Sequence, residues 1–238
     1  MNLKKTMNEK VSVIMSVYNS EQTLVNSIES IINQTYSNLE ILICDDCSTD
    51  DSLKILETYE SQDKRIQIIK NKENIGLTKS LNKLINKATG KYIARQDADD
   101  VSLEYRIETQ ISVLKKSKSK IAVSRALVKN SNKLIPYFSY IFPYTLVFKI
   151  KNPFIHGTLI IEKSLLNEIG NYDELFYYAQ DYKLYQTIID KRIKIKKLYK
   201  PLYILNTENN ISKNYYKEQK YYADCVKSRI IPSLDFES

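Results

Sequence analysis

Three carboxylates crowd the sequence Asp97-Ala98-Asp99-Asp100, which follows an apolar run and precedes a helical pattern. Like charges this close repel one another, and a hard divalent cation such as Mg²⁺ or Mn²⁺ relieves that repulsion. Such ions are usually held by one or two carboxylates together with phosphate oxygens. The cluster therefore predicts a metal site. The alternative is that Asp100 caps the next helix and the other two carboxylates are solvated.

A second acidic pair, Asp45-Asp46, follows another apolar run at residues 39–44. A carboxylate in this position can accept hydrogen bonds from a ribose hydroxyl or from the N–H of a base. Ordinary turn chemistry explains the pair equally well. Taken together with the first cluster, the pair favours a nucleotide site with two ends, the base at Asp46 and a diphosphate at the metal.

Glycine is scarce in this chain. The four glycines are Gly76, Gly90, Gly157 and Gly170. With this spacing, neither a G-x-G-x-x-G dinucleotide turn nor a P-loop can be written, which argues against a dinucleotide oxidoreductase and a P-loop kinase. A protein without a glycine cradle must neutralise a diphosphate by other means, and a metal held by carboxylates is one.

Two further residues have side chains suited to chemistry. His156 is the single histidine and opens a strand predicted at residues 156–161. It could contact the metal, a phosphate or an acceptor, and a structural role beside apolar neighbours is the alternative. Asp181 stands among tyrosines at a predicted helix start, where its alternative role is that of an N-cap.

Short β-branched apolar runs alternate with helical periodicities through the first half of the chain. We predict strands at residues 11–17, 39–44, 66–69, 91–94 and 121–124, and helices at 23–33, 52–59, 77–87 and 103–115. This alternation indicates an α/β fold, with a mostly parallel central sheet flanked by helices. Ligands bind beyond the carboxyl ends of such strands, so the polar turns at 16–19, 45–50 and 96–100 should line one crevice.

The alternation weakens after residue 124, where three prolines interrupt an aromatic-rich stretch. The remaining predicted elements are a strand at 156–161, helices at 163–169 and 181–190, and strands at 193–198 and 202–205. We therefore divide the chain into an N-terminal extension at 1–10, an α/β domain at 11–205, and a helical, basic and aromatic tail at 206–238.

The composition, with 43% hydrophobic and 27% charged residues, is that of a soluble globular protein. No run approaches the roughly 18 apolar residues of a membrane span, and residues 1–10 lack the apolar core of a signal peptide. We therefore expect a cytoplasmic protein with reduced cysteines. The net charge of +8 suits an anionic partner, yet basic residues are interleaved with 28 acidic ones, which disfavours a nucleic-acid-binding module.

In combination and in this order, the motifs resemble the family 2 glycosyltransferases, which have the nucleotide-sugar-binding fold called GT-A. The resemblance runs from about residue 11 to residue 205. The segments that carry it are residues 11–19, 45–50, 74–76 with Asn82, 90–93 and 97–100. The fold that the resemblance implies is the α/β fold that the strand pattern predicts.

The resemblance implies an inverting transfer from a nucleoside diphosphate sugar, commonly a UDP-sugar. It implies that Ser16, Tyr18 and Asp46 surround the nucleotide. The acidic cluster resembles the metal-binding motif of the family. We expect Asp99 and Asp100 to bind Mn²⁺ or Mg²⁺, and Asp97 to contact the ribose or the sugar.

Asp181 matches the catalytic base of the family, which is usually the aspartate of a Glu-Asp pair. Here Gln180 takes the place of the glutamate, and Cys47 stands where a small residue, often glycine, is usual. We regard Gln180 and His156 as candidate substrate contacts. As the base, Asp181 would accept the proton of an acceptor hydroxyl while that oxygen attacks the anomeric carbon.

The resemblance points to bacterial enzymes that build lipid-linked surface polysaccharide, lipooligosaccharide or capsule. The implied acceptor is a glycan or a lipid-linked oligosaccharide, and the basic tail would suit contact with the inner face of an anionic membrane. The Gln-x-x-Arg-Trp signature of processive synthases is absent, which predicts one sugar per acceptor encounter. The main alternative is a metal-dependent nucleotidyltransferase or nucleotide-binding protein, which needs no base at Asp181.

Overall fold

The computed structural model describes residues 9–131, 133–208 and 215–233, and its strands form one sheet with apolar cores on both faces. The strands are β1 Val11–Val17, β2 Leu39–Asp45, β3 Ile66–Lys70, β4 Tyr92–Arg95, β5 Val101–Ser102, β6 Ile121–Val128, β7 Leu134–Ile135, β8 Ile160–Glu162 and β9 Lys196–Leu205. The helices are α1 Glu21–Ile32, α2 Ser52–Gln62, α3 Leu77–Lys87, α4 Arg106–Ser117, α5 Phe138–Ile141, α6 Tyr144–Val147, α7 Lys163–Glu168, α8 Gln180–Asp190 and α9 Tyr216–Ser228. Most of the predicted N-terminal extension lies outside the described residues.

Strands β1 and β2 are buried on both faces, as their nearly continuous apolar sequences predict. Successive side chains point to opposite sides of the sheet. Ile14 thus packs in one core with Leu84 of α3, whereas Val13 packs in the other core with Ile28 of α1. β1 pairs in parallel with β2 and β4, and β2 with β3. The predicted alternation of strands and helices is confirmed through β4.

The second half of the sheet is mixed. The strand order is β3-β2-β1-β4-β8-β6-β9-β5, with β7 paired to β6. β8 runs antiparallel to both β4 and β6, whereas β9 runs parallel to β6 and antiparallel to β5. The predicted α/β class, a central sheet flanked by helices, is confirmed. The parallel pairs of the sheet lie mainly among β1, β2, β3 and β4.

Three strands predicted in the second half have other bounds in the structure. Residues 156–161 are not one strand, because the Thr158 N–H and hydroxyl both donate to the Ile155 carbonyl, at 3.1 and 2.8 Å, and close a turn. His156–Thr158 is instead a short 3-10 helix. Residues 193–198 and 202–205 are not two strands either. β9 continues through Pro201, which has no N–H to donate and lies opposite Arg125 of β6, where the register of the pairing shifts.

Within its described residues, the predicted tail contains the helix α9 at Tyr216–Ser228. In α9, Val226 and Cys225 are buried in the main core, and the Val226 carbonyl accepts a hydrogen bond from the Gln186 amide of α8 at 2.5 Å. The described part of the tail therefore packs on the domain. None of the helices in the described ranges combines the length and the apolar character that crossing a bilayer demands.

Candidate active site

The predicted polar turns meet at one edge of the sheet. β1 pairs with β2 so that Val17 lies beside Asp45, and with β4 so that Ile14 lies beside Arg95. Just beyond these pairs, the Asp46 N–H donates to the Val17 carbonyl at 2.8 Å. The Asp45-Asp46 turn and the acidic cluster therefore flank the end of β1, as the parallel register predicts.

The acidic cluster, residues 97–100, is held in a tight turn by its own backbone and by α1. The Asp100 N–H donates to the Asp97 carbonyl at 3.3 Å, which closes the turn. The Ser27 hydroxyl of α1 donates to the same Asp97 carbonyl at 2.8 Å. The Gln96 amide donates to the backbone carbonyls of Asp97 and Asp100 at 3.1 and 2.9 Å. These contacts fix three carboxylates close together.

The carboxylates of this turn disturb one another. Burial, together with the Asp97 charge, raises the pKa of Asp99 to about 6. Burial, with the charges of Asp97 and Asp99, also holds the pKa of Asp100 well above its usual range. One Asp100 oxygen accepts a hydrogen bond from the Asn206 N–H at 2.7 Å. Bringing several partly buried carboxylates together in this way is unfavourable for the protein alone.

This donor set fits a divalent cation that is shared with a substrate. No group of three or more His, Cys, Asp or Glu side chains is arranged as a complete metal cage within the part of the chain that the structure describes. A cation at Asp99 and Asp100 would therefore take further ligands from elsewhere. This is how Mg²⁺ is usually held in sites that bind phosphates. The helix-cap alternative for Asp100 is not seen, because α4 begins only at Arg106.

Arg95 lies beneath the acidic turn and was not identified from the sequence. Its guanidinium is almost completely buried and donates to Asp97 Oδ1 through Nη2 at 2.5 Å. The Asp97 N–H donates to the Tyr203 hydroxyl of β9 at 3.1 Å. The available signal was an arginine directly after the predicted strand at 91–94 and two residues before Asp97. Because Arg95 balances the charge of Asp97, that carboxylate differs from Asp99 and Asp100.

Replacing Arg95 with Met is expected to lower the free energy of unfolding by about 3 kcal/mol, because it leaves the Asp97 charge unpaired in a largely buried site. Urea unfolding followed by circular dichroism measures the loss. The matched control is Arg65→Met, which breaks the more exposed Arg65–Asp63 pair at 2.6 Å and should cost about 1 kcal/mol or less. Equal losses for the two variants would contradict a structural role for the Arg95–Asp97 pair.

Gly157 makes room for the acidic turn. A Cβ atom at this position would lie 2.6 Å from Asp97 Oδ2 and 2.4 Å from the Tyr203 hydroxyl oxygen. Both distances are shorter than any real carbon contact, so a larger residue would displace one of these two groups. The sequence showed that glycine is scarce, but it did not show which glycine allows the 3-10 helix to approach Asp97.

Asp181 lies in the first turn of α8. Its Oδ2 accepts a hydrogen bond from the Asn152 amide at 2.7 Å, and its Oδ1 accepts one from the Tyr182 N–H at 2.7 Å. Burial raises the pKa of this carboxyl to about 6, and the Asp97 charge contributes. The N-cap position belongs to Ala179, so the capping alternative for Asp181 is not seen. Gln180 is buried beside it.

His156 opens the 3-10 helix whose Gly157 lies against Asp97. Its Nε2 is 2.6 Å from the Tyr172 hydroxyl. Burial and the Arg95 charge, opposed by the charge of Asp97, lower the pKa of His156 to about 3. The imidazole is therefore neutral at ordinary pH. The structure brings His156 to the crevice, where contact with a substrate and a structural role alongside Tyr172 both stay open.

We expect the His156 imidazole not to titrate between pH 5 and 8 in the folded chain. This is the only histidine, so its side-chain NMR signal needs no assignment. In urea the same signal should titrate near the usual value of about 6.5. Below about pH 6.5 the histidine of the unfolded chain is protonated, whereas that of the folded chain stays neutral. The free energy of unfolding therefore decreases as the pH falls below about 6.5. A folded-state midpoint near 6.5 would contradict the burial of the ring.

The predicted nucleotide end of the crevice has Asp46 at its centre. Asp46 Oδ1 accepts hydrogen bonds from the Asn71 amide and the Ile75 N–H, at 2.8 and 2.9 Å, and Oδ2 accepts one from the Gly76 N–H at 2.8 Å. The carboxylate thus fixes the loop before α3. Oδ2 keeps a lone pair for a ligand, so the role of Asp46 at the base or the ribose stays a prediction.

Ser16 and Tyr18 stand beside Asp46 at the end of β1. Ser16 is half-buried and Tyr18 is half-exposed. The Tyr177 ring lies at this end of the crevice as well, because a Cβ atom on Gly76 would be 2.5 Å from it. Burial raises the pKa of Tyr177, and the charge of Asp46 contributes. Sequence reasoning did not identify Tyr177 as a neighbour of Asp46. Contacts of Ser16 and Tyr18 with a nucleotide stay predictions.

Comparison with known proteins gives a clear family match. The family model described as glycosyl transferase family 2 matches residues 12–172. The putative glycosyltransferase EpsE of Bacillus subtilis is 39% identical over 170 residues, which are 68% of this chain and 60% of EpsE. The Escherichia coli protein WfgD, a UDP-Glc:alpha-D-GlcNAc-diphosphoundecaprenol beta-1,3-glucosyltransferase, is 32% identical over 75% of this chain and 69% of its own length. The chain thus spans about 60% of the length of EpsE.

Solved structures support the fold. Staphylococcus aureus TarS 1-349 in complex with UDP-GlcNAc superposes with a TM-score of 0.76 over 96% of this chain and 68% of that chain, at 21% identity. Mannosyltransferase PcManGT from Pyrobaculum calidifontis, in complex with GDP-Man and Mn²⁺, superposes with a TM-score of 0.71 over 90% of this chain and 62% of that chain, at 17% identity. The similarity confirms the predicted GT-A fold.

Proposed function

Because the chain belongs to glycosyl transferase family 2, we propose that it transfers a sugar from a UDP-sugar to a hydroxyl of a glycan or lipid-linked acceptor, with inversion at the anomeric carbon. Similarity to WfgD, whose name states a UDP-sugar donor and a diphosphoundecaprenol-linked acceptor, supports both substrate classes. We further propose a role in bacterial surface polysaccharide synthesis, in the cytoplasm at the inner face of the membrane.

The observation that carries the proposal is the position of Asp181. Its carboxylate is held by Asn152 and the start of α8, in the crevice that also contains the acidic turn. A base with a raised pKa takes up a proton more readily than an ordinary carboxylate. Asp181 would accept the acceptor hydroxyl proton while the oxygen attacks the face opposite the departing diphosphate. That geometry inverts the anomeric configuration.

The residues of the acidic turn would take different roles. Asp97 is engaged by Arg95, so its charge is already balanced, and we assign it to the ribose or the sugar. Asp99 and Asp100 form no ion pair with any residue that the structure describes, and we assign them to Mn²⁺ or Mg²⁺. A divalent cation there would stabilise the negative charge that develops on the diphosphate. The Ser27 and Gln96 side chains fix the backbone of this turn, because they donate to the carbonyls of Asp97 and Asp100.

The pH dependence of the reaction should report the Asp181 base. Because its pKa is raised to about 6, kcat/KM should be constant above pH 7 and fall about tenfold per pH unit below pH 6, as the carboxylate becomes protonated and can no longer accept a proton. Initial rates between pH 5 and 8.5, in buffers of equal ionic strength, measure the profile. A rate that is unchanged down to pH 5 would contradict a base with this pKa.

Donor binding separates this proposal from a protein that binds no sugar nucleotide. We expect one UDP-sugar to raise the melting temperature in the presence of Mn²⁺ and to have a much smaller effect without it. A panel of UDP-, GDP- and TDP-sugars, each with and without Mn²⁺, provides the comparison. EDTA added to the stabilised sample is the control and should reverse the shift. Indifference to every sugar nucleotide would contradict the proposal.

A further inference from the structure

An exposed apolar surface lies on the two short helices α5 and α6. Six large side chains are each 55% to 74% exposed, and together we name them the apolar platform: Tyr137, Phe138, Ile141, Phe142, Leu146 and Ile150. Single exposed apolar residues are ordinary, but these six fall within 14 residues, and Tyr137 and Phe138 pack ring against ring. Exposed apolar patches on a protein surface mark interaction sites. No residue of the described ranges covers these side chains.

The segment that carries the platform is fixed from below. Tyr140 is completely buried, and its ring lies 5.2 Å from the Arg125 guanidinium. Lys197 donates to the Tyr140 and Phe142 carbonyls at 2.7 and 3.0 Å. The Tyr182 hydroxyl donates to the Phe148 carbonyl at 2.5 Å. One side of this segment therefore packs in the core. The side chains of the apolar platform are exposed to solvent on a backbone that these contacts hold in place.

The stretch of sequence that contains the platform carries charge of one sign. Residues 109–161 contain nine Lys and Arg and no Asp or Glu, whereas the whole chain has a net charge of only +8. The rest of the chain is therefore close to neutral. Lys149 and Lys151, on either side of Ile150, are exposed. Apolar side chains bordered by lysines are typical of a surface that lies in the headgroup region of an anionic membrane.

The platform adjoins the proposed catalytic base. The segment ends at Asn152, whose amide donates to Asp181 at 2.7 Å, only two residues after Ile150. The Phe148 ring packs against the Tyr182 ring with centroids 4.5 Å apart. A membrane that contacts the platform would thus lie next to the place where an acceptor hydroxyl must meet Asp181.

We propose that the apolar platform docks this protein on an anionic lipid surface. The inference deepens the proposed function, on which its link to a lipid-linked acceptor rests. It moves the membrane contact from the tail, where the sequence placed it, to α5 and α6. In the described part of the tail, α9 uses Cys225 and Val226 to pack on its own domain. Docking would bring the saccharide of a membrane-anchored acceptor to the base.

Vesicle flotation with the full chain tests the proposal. The probes are phosphatidylcholine vesicles with and without phosphatidylglycerol, at low and high salt and without any nucleotide. The wild-type chain should float with the anionic vesicles, and salt should weaken its binding. The triple variant F138Q/I141Q/I150Q should bind the anionic vesicles with an affinity at least about tenfold lower, because each change removes an apolar side chain from the contact. These residues are exposed, so melting temperature should stay near that of the wild-type chain.

The matched control is I230Q/I231Q, which changes two isoleucines in the tail that are 55% and 72% exposed. It should bind vesicles like the wild-type chain. The proposal is overturned if the wild-type chain binds neither kind of vesicle, if the platform variant binds as well as wild type, or if the tail variant alone loses binding. A dimer in light scattering that the platform variant dissociates, without vesicle binding, would assign the platform to a second copy and also overturn it.

Donor binding distinguishes this inference from the proposed function. All variants should keep the melting shift produced by a UDP-sugar with Mn²⁺, because the changed residues lie outside the acidic turn and the Asp46 loop. Vesicle binding without any response to sugar nucleotides would count against the proposed function alone. A response to sugar nucleotides without vesicle binding would count against the platform alone.

Discussion

Replacing Asp181 with Asn is expected to lower kcat about 10³-fold while donor binding is kept. The amide cannot accept the acceptor proton, and general-base catalysis typically contributes about 10²- to 10⁴-fold. The substitution keeps the size of the side chain, and an amide oxygen can still accept the hydrogen bond that Asn152 donates at 2.7 Å. The variant should therefore fold and should show the same UDP-sugar melting shift as the wild-type chain.

The control for this experiment is Asp190→Asn, at the other end of the same helix α8. Asp190 is exposed and pairs with Arg229 at 2.7 Å, away from the acidic turn. It should leave kcat within about twofold of the wild-type value. If D181N kept more than a tenth of the wild-type kcat, Asp181 would not be the base. A loss of kcat that came with a loss of folding would be visible in the melting temperature.

Replacing Asp99 with Asn should lower kcat/KM about 10²- to 10³-fold and remove most of the melting shift that a UDP-sugar causes with Mn²⁺. The carboxylate is the assigned ligand of a cation that would stabilise charge on the diphosphate, and losses of this size are typical when one such contact is removed. Without metal, the variant should be at least as stable as the wild-type chain, because it removes one of the carboxylates that repel one another.

Asp224→Asn is the matched control for Asp99. Asp224 lies on α9 and pairs with Lys227 at 2.9 Å on the surface. It should leave both the melting shift and kcat/KM unchanged. Titration with Mn²⁺ at a fixed UDP-sugar concentration gives the second readout, since weaker metal binding should move the midpoint for D99N to higher Mn²⁺. An unchanged midpoint would contradict the assignment of Asp99 to the metal.

The first half of the fold follows from local sequence pattern. Strands β1 and β2 are continuous apolar runs, and α3 keeps its apolar residues on one face, so period and composition identify them. The parallel register then brings the polar turns to one edge without any further information. For this reason, the order of strands and polar turns in the sequence was enough to predict that Asp46 and the acidic turn lie at the same edge of the sheet.

The second half depends on contacts between distant segments. β5 has only two residues, too few to show a period, and it exists because it pairs with β9. The 3-10 helix at Gly157 forms against Tyr203 and Asp97. Sequence patterns over short windows cannot detect such pairs, since tertiary packing overrides local preference there.

The site shows the same division. Asp99 and Asp181 stand out as residue types that can bind a cation or a proton, and the family resemblance predicts their roles. The residues that position them do not stand out. The role of Asn152 is visible only in its hydrogen bond to Asp181. The role of Tyr203 is visible only in its hydrogen bond with Asp97, which is 106 residues away in the sequence. Arg95 is an ordinary strand arginine until its burial beneath Asp97 is known.

The products of the reaction test the central claim most directly. The chain would be incubated with a labelled UDP-sugar, Mn²⁺ and an acceptor whose saccharide is linked to a polyprenyl diphosphate. We predict that one UDP is released for each sugar transferred, and that NMR of the product shows an anomeric configuration opposite to that of the donor. Release of pyrophosphate with the nucleotide joined to the product, or retention of configuration, would contradict inverting glycosyl transfer.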